Sequence, residues 1–298
     1  INESEKIILK HKIKNVLTSV PQHSLGLVGL GLKKRLKAEI FWIIDYRDSW
    51  NLRKVYQKKT TASKKIAERR EKKVLSGCDL FSYVSAPMLP NLERKFKIRL
   101  SKKSVLSMNG FSKECVQSTR LNVAEREFKI GYFGSVSDIP GETYDFSEIL
   151  KVFSSGRLEL AGAKLFLYGP KNLKTTKLAD FHNLVDCGIC SHQNALNEMQ
   201  NMDALLIVYN NDEDSEEIIT GKFFEYVSVK KPIICLGPLN MEVNKLIEKY
   251  NLGLSSTIDS EKIIELLSKI RSFNLDIDFD VSIFHRPYQY SKILPHLR

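Results

Sequence analysis

The sequence predicts an α/β chain of two tandem domains, each built on a parallel sheet with helices on both faces. Three observations carry this. Short continuous apolar runs recur along the chain, as suits strands buried on both sides. Helical patterns fall between them, giving repeated β-α units. The alternation breaks once, at "GFSKECVQSTRLNVAEREF" (110–128), which is polar and without period, before "KIGYFGS" restarts a strand.

In chain order, the apolar runs predict strands at Asn15–Val20, Glu39–Asp45, Asp79–Val84 and Ser104–Ser107, then at Lys129–Gly134, Ala163–Tyr168, Ala204–Tyr209 and Pro232–Leu236. The intervening patterns predict helices at Tyr56–Val74, Phe146–Phe153, Ala195–Met202 and Met241–Tyr250. The break places one domain over 1–124 and a second over 125–298, whose last helix is expected to pack back on the first. Tandem α/β domains of this kind are expected to enclose a cleft, with ligands beyond the carboxyl ends of the strands.

With 298 residues, 43% of them apolar, the chain can furnish two cores. No run of about 20 apolar residues could span a bilayer. The chain opens on Ile1 without a signal-peptide pattern, and "INESEKIILKHKIK" reads as the interior of something longer. Five scattered cysteines suit a reducing, cytoplasmic setting. The net charge of +11 is concentrated at 51–75, "NLRKVYQKKTTASKKIAERREKKVL", with ten Lys/Arg against two Glu. That block suits either a peripheral contact with an anionic membrane or a solvated helix face. Nucleic acid is not expected, because no aromatic stacking platform or zinc knuckle accompanies it.

The chemistry is concentrated at "SEEIITGKFFEYVSVKKPIICLGP" (215–238), where Glu217 and Glu225 flank a small-residue turn ahead of a β-branched run. With Thr220 as N-cap, the amides of Gly221, Lys222 and Phe223 point out of a helix mouth, a site for phosphate or diphosphate. Gly221 lets a ligand approach the backbone, and Lys222 adds a positive charge. Glu225, four residues on, shares the face of Gly221 and can accept two hydroxyls of a ribose. Glu217 would reach hydroxyls on the other side of the phosphates. A phosphate flanked by two polyols is a nucleotide sugar.

This segment resembles the Glu-x7-Glu signature of retaining glycosyltransferases of family 4, which have the GT-B fold of two Rossmann-like domains facing a cleft. "FWIIDYRDSW" resembles the strand end of that family's N-terminal domain, "SMNGF" its inter-domain approach, and "KIGYFGS" and "KLFLYGP" the first two strands of its C-terminal domain. The resemblance implies that Glu225 holds the ribose and Glu217 the transferred sugar, with the Thr220–Lys222 backbone on the diphosphate. It implies catalytic roles for Glu217 and Lys222, donor contacts at Gly134, Ser135, Gly169 and Lys171, and an acceptor side at Arg47 and Asp48. The acceptor would be a glycan or lipid-linked glycan of surface polysaccharide biosynthesis, with no metal or other cofactor. The chain departs from the family in two ways. The loop "GSVSDIPGETYDF" holds neither Arg nor Lys, so Lys222 or Lys171 must meet the diphosphate. The family's opening β-α units are also lacking, so the N-terminal domain is expected to be incomplete.

Other readings stand beside this one. Asp212–Asp214, "DED", fits an Asp-x-Asp metal site or a solvated acidic loop. His182, Cys187, Cys190 and His192 fit a zinc set by residue type, or thiols packed beside a strand. "DYRDSW" fits a salt bridge closing a strand end as well as an acceptor rim. A GT-B-fold sugar epimerase and an inactive nucleotide-binding fragment are the remaining functional alternatives.

Overall fold

The computed structural model describes residues 1–20, 24–50, 60–112, 127–140, 145–157, 162–210, 216–273, 275 and 279–298. The chain divides into two compact units: Ile1–Gly110 with Glu217–Ile219 and Ile283–Arg298, and Phe111–Glu216 with Thr220–Ser282.

The first unit carries α1 (Asn2–His11), β1 (Asn15–Val20), α2 (Ser24–Leu36), β2 (Phe41–Tyr46), α3 (Thr61–Gly77), β3 (Leu80–Tyr83), α4 (Met88–Phe96) and β4 (Ser104–Leu106). Its sheet runs β1-β2-β3-β4, parallel throughout. The central strands β2 and β3 are buried on both faces, as the apolar run of β2 requires, while the edge strand β1 alternates. Trp42 is fully buried at its centre and donates its indole N–H to Thr18 Oγ1 at 2.9 Å. Gly29 of α2 lies over that indole; a Cβ there would fall 2.3 Å from Trp42 Nε1. Small residues on α2 therefore bring helix and sheet into close contact.

Register places Ser19, Asp45 and Ser82 side by side on β1, β2 and β3. The buried Asp45 carboxylate accepts from Ser19 Oγ at 3.2 Å, Ser82 Oγ at 2.8 Å and Arg47 Nε at 2.7 Å. The C-terminal segment belongs to this unit. The side-chain carbonyl of the buried Gln289 accepts the Met108 amide at 2.9 Å, and Arg286 donates to the Gly110 carbonyl at 3.0 Å.

The second unit carries β5 (Phe128–Phe133), β6 (Val136–Ser137), α5 (Ser147–Ser154), β7 (Ala163–Tyr168), β8 (Lys171–Asn172), β9 (Leu184–Gly188), α6 (His192–Gln200), β10 (Ala204–Val208), α7 (Gly221–Ser228), β11 (Ile233–Leu236), α8 (Glu242–Lys249), β12 (Gly253–Ser256) and α9 (Ser260–Ile270). A final short helix, α10 (Arg286–Ser291), lies in the returning segment. The main sheet runs β12-β11-β10-β5-β7-β9, again parallel throughout. The chain builds outward from β5 in one direction through β7 and β9, then in the other through β10, β11 and β12. The order therefore reverses between β5 and β10, where open α/β sheets bind ligands. β5 and β10 pair over only two residues, Ala204↔Ile130 and Leu205↔Gly131, and then separate.

The predicted strands fall within about two residues of those observed. The helix expected from Tyr56 starts at Thr61, capped by Thr60, whose hydroxyl accepts from the Ser63 amide; residues 51–59 lie outside the described set.

If close packing at Gly29 is required, Gly29→Ala overpacks the indole and destabilises the first unit by about 1–3 kcal/mol. A lower denaturant midpoint with an unchanged slope is the expected result, followed by tryptophan fluorescence.

Candidate functional site

The separation of β5 and β10 leaves backbone groups that need partners. Tyr226 of α7 supplies them. Its buried phenol donates to the Leu206 carbonyl at 3.2 Å and accepts the Phe133 amide at 3.4 Å. The inward face of α7, with Phe223, Phe224 and Val227 buried, is a core stripe. This seats the start of α7 at the switch point of the sheet.

Thr220 occupies the N-cap in extended conformation, and its amide donates to Tyr209 Oη at 3.2 Å. Its hydroxyl does not cap the helix: among the described residues the buried Oγ1 makes no hydrogen bond. Thr220 thus gives α7 no side-chain cap, and among the described residues a Cβ at Gly221 would meet nothing within 4 Å. A helix start approachable in this way suits an anion.

Lys222 reaches from this start to the end of β5. Its Nζ donates to Tyr132 Oη at 3.1 Å and lies 4.3 Å from that ring's centroid. Tyr132 in turn donates to the Ser135 carbonyl at 3.0 Å. Gly134 leaves room for the amine, since a Cβ there would lie 2.3 Å from Nζ. Gly169, at the end of β7 with φ +124, is pressed against Gly134, where a Cβ would meet the Gly134 carbonyl oxygen at 2.5 Å. Lys222, Gly134, Ser135 and Gly169 are therefore brought together with Thr220 and Gly221.

Burial pushes the Lys222 ammonium down to about 8, with the Glu225 charge opposing the shift. Lys171 is held differently. Its ammonium donates to the Gly169 carbonyl at 2.9 Å and pairs with Asp186 at 2.6 Å. Burial raises the Asp186 carboxyl, but the Lys171 bond and the Gly188 amide outweigh it and hold the group low. Of the two lysines, Lys222 is the one placed at the helix mouth.

Glu225 sits a turn into α7, with Oε1 2.9 Å from His192 Nε2 at the start of α6. Glu217 clusters with the first unit, where its carboxylate accepts from Ser49 Oγ at 2.6 Å and Asn91 Nδ2 at 2.5 Å. Arg47 closes the end of β2. It pairs with Asp45, donates to the Ser107 and Met108 carbonyls and Asn109 Oδ1, and lies 4.9 Å from the Tyr290 ring centroid. The salt-bridge reading of "DYRDSW" thus describes Asp45 and Arg47; Asp48 follows them, half-buried.

Among the described residues no three His, Cys, Asp or Glu side chains form a metal-holding group, so His182, Cys187, Cys190 and His192 are not assembled as zinc ligands. Asp212 and Asp214 lie outside the described residues. The sequence reading missed Tyr132 and Tyr226, although a tyrosine on a buried helix face signals a hydroxyl that needs partners.

No protein-family model and no curated protein matches the chain. Solved structures do. The apo form of the lipopolysaccharide outer core galactosyltransferase WaaB superposes with a TM-score of 0.69 at 12% identity, over 98% of this chain and 77% of that one. Sucrose-phosphate synthase from Thermosynechococcus elongatus gives 0.58 at 12% identity, over 100% and 73%. WaaG, a glycosyltransferase involved in lipopolysaccharide biosynthesis, gives 0.52 at 13% identity, over 92% and 80%. At these identities the likeness establishes the fold: two Rossmann-like α/β domains with parallel sheets, the GT-B fold of glycosyltransferases.

If Lys222 meets a diphosphate, bound anion favours its charged form and raises its pKa. Binding near pH 8 then takes up a proton, and affinity falls as pH rises through about 8. Titration calorimetry of UDP, GDP and ADP in buffers of differing ionisation enthalpy measures the uptake, which Lys222→Met should abolish.

Proposed function

We propose that the chain is a glycosyltransferase that moves a sugar, with retention, from a nucleoside diphosphate sugar to a glycan or lipid-linked acceptor. The observation that carries this is the start of α7 at the sheet's switch point, with no side-chain cap from Thr220, an approachable Gly221, Lys222 reaching to Tyr132, and Glu225 a turn further on. An amide-rich helix mouth and an ammonium suit the diphosphate, and Glu225 suits the ribose. Glu217 is assigned to the transferred sugar, Gly134, Ser135 and Gly169 to backbone contacts with the donor, and Arg47 and Asp48 to the acceptor side. Lys171, tied to Asp186, is assigned a supporting role in its loop.

In this reading the acceptor hydroxyl oxygen bonds to the anomeric carbon as the bond to the diphosphate oxygen breaks. The new bond forms on the face that the diphosphate leaves, and the hydroxyl proton passes to the departing phosphate. The charge that grows on that phosphate is met by the α7 amides and Lys222, whose contribution is greatest in the transition state. No metal takes part. The lipopolysaccharide context of WaaB and WaaG favours a lipid-linked glycan as acceptor, in surface polysaccharide biosynthesis.

A peripheral membrane contact at the cytoplasmic face belongs to the same proposal. α3 buries Ala67, Glu71, Val74 and Leu75 and exposes Lys65, Arg69, Arg70, Lys72 and Lys73, so its outer face is basic. No helix among the described residues is long and apolar enough to cross a membrane.

The donor assignment is tested by calorimetry in EDTA, comparing nucleoside diphosphate with nucleotide sugar. Glu225→Ala should cost about 2–3 kcal/mol, or roughly 30- to 150-fold in affinity, for both ligands. Glu217→Ala should weaken only the sugar-bearing ligand. Both ligands unchanged in both variants would reduce the carboxylates to features of a helix start. The membrane assignment predicts co-sedimentation with vesicles containing anionic lipid, at about 1 kcal/mol per basic residue near the surface, fading as salt rises. Equal binding to neutral vesicles would remove the electrostatic basis.

A further inference from the structure

His192 opens α6 just beyond the carboxyl end of β9. Its position is fixed by Ser191, whose hydroxyl caps the helix by accepting the Asn194 amide at 3.2 Å. The His192 side chain is 71% exposed, yet Nε2 is 2.9 Å from Glu225 Oε1. A separate helix therefore holds one oxygen of the carboxylate assigned to the ribose. Nothing in the transfer chemistry above uses this imidazole.

The physical effect follows from the carboxylate. The terminal torsion of a glutamate is broad and roughly two-fold, so an untethered carboxylate samples many orientations. A carboxylate has about four lone-pair sites on its two oxygens. A hydrogen bond from His192 to Oε1 fixes the plane of the group and turns Oε2 into a defined acceptor. The orientation is then set before a ligand arrives, which lowers the ordering cost of binding.

We propose that His192 is a positioning residue that holds the Glu225 carboxylate for the 2′,3′-diol of a bound nucleotide and so makes the site prefer ribose to dideoxyribose. This rests on the nucleotide-sugar reading above. His192 touches the acceptor oxygen of Glu225, and its effect is confined to ligands that carry the diol.

The experiment is calorimetry with UDP, GDP and ADP and their 2′,3′-dideoxy counterparts. It uses the wild-type chain, His192→Ala and His192→Gln, with folding checked by circular dichroism. His192→Ala should weaken the ribose nucleotides about two- to fivefold, the range for an exposed, screened pair, and leave the dideoxy nucleotides unchanged. His192→Gln, whose amide can donate to the same oxygen, should restore the ribose affinity. An equal loss for both ligand sets, or no loss for either, overturns the positioning role while nucleotide binding stands. If none of the nucleotides binds the wild-type chain, the nucleotide reading fails and the inference falls with it.

Discussion

The second unit turns on the place where two parallel strands stop pairing. β5 and β10 part after two residue pairs, and the phenol of Tyr226 enters the gap as donor to Leu206 and acceptor from Phe133. A hydroxyl is suited to this because it satisfies both freed backbone groups at once. Phenylalanine would fill the space and leave two buried groups unpaired, each at a cost of about 1–3 kcal/mol. Because Tyr226 is on α7, the bond that settles the sheet also fixes where the helix begins. The orientation of Gly221, Lys222 and Glu225 follows from it.

The charges around that point are held in two ways. Lys171, on β8, is paired with Asp186 on β9. Lys222 is set over the Tyr132 ring and donates to its phenol oxygen, with burial lowering its proton affinity. The two lysines are thus set in different surroundings, one over a ring at the start of α7 and the other against a carboxylate.

Much of the architecture was legible in the sequence, for a physical reason. Strands buried on both faces are continuous apolar runs, and "FWIIDY" or "KLFLY" could be read directly. The helix α2 could not. "SLGLVGLGLKKRL" carries three glycines, which lower helix propensity, and its helical state is explained by Gly26 and Gly29 meeting Ile44, Val74 and Trp42. The start of α7 was legible because its signal is local, a small-residue turn at Thr220 and Gly221 ahead of an apolar helix stripe. Contacts between residues distant in sequence were not legible. The contact of His192 with Glu225 spans 33 residues and that of Lys222 with Tyr132 spans 90. The same histidine, taken with nearby cysteines, suggested a metal set because spacing carries no information on side-chain direction.

The row of Ser19, Asp45 and Ser82 has a bearing on how the first sheet assembles. Its strands are joined only through long crossovers, so pairing must be found by segments far apart in the chain, and such topologies fold slowly. Apolar runs buried on both faces give weak guidance, since a slipped alignment still covers oily surface. Sliding β2 by one residue would set Ile44 or Tyr46 between the serines and move Asp45 opposite Val20 and Tyr83 or Thr18 and Phe81, away from both serine hydroxyls. Misaligned intermediates would carry an unsolvated charge, at a penalty of several kcal/mol. An aspartate so placed favours the native alignment over near-miss arrangements that hydrophobicity alone would accept.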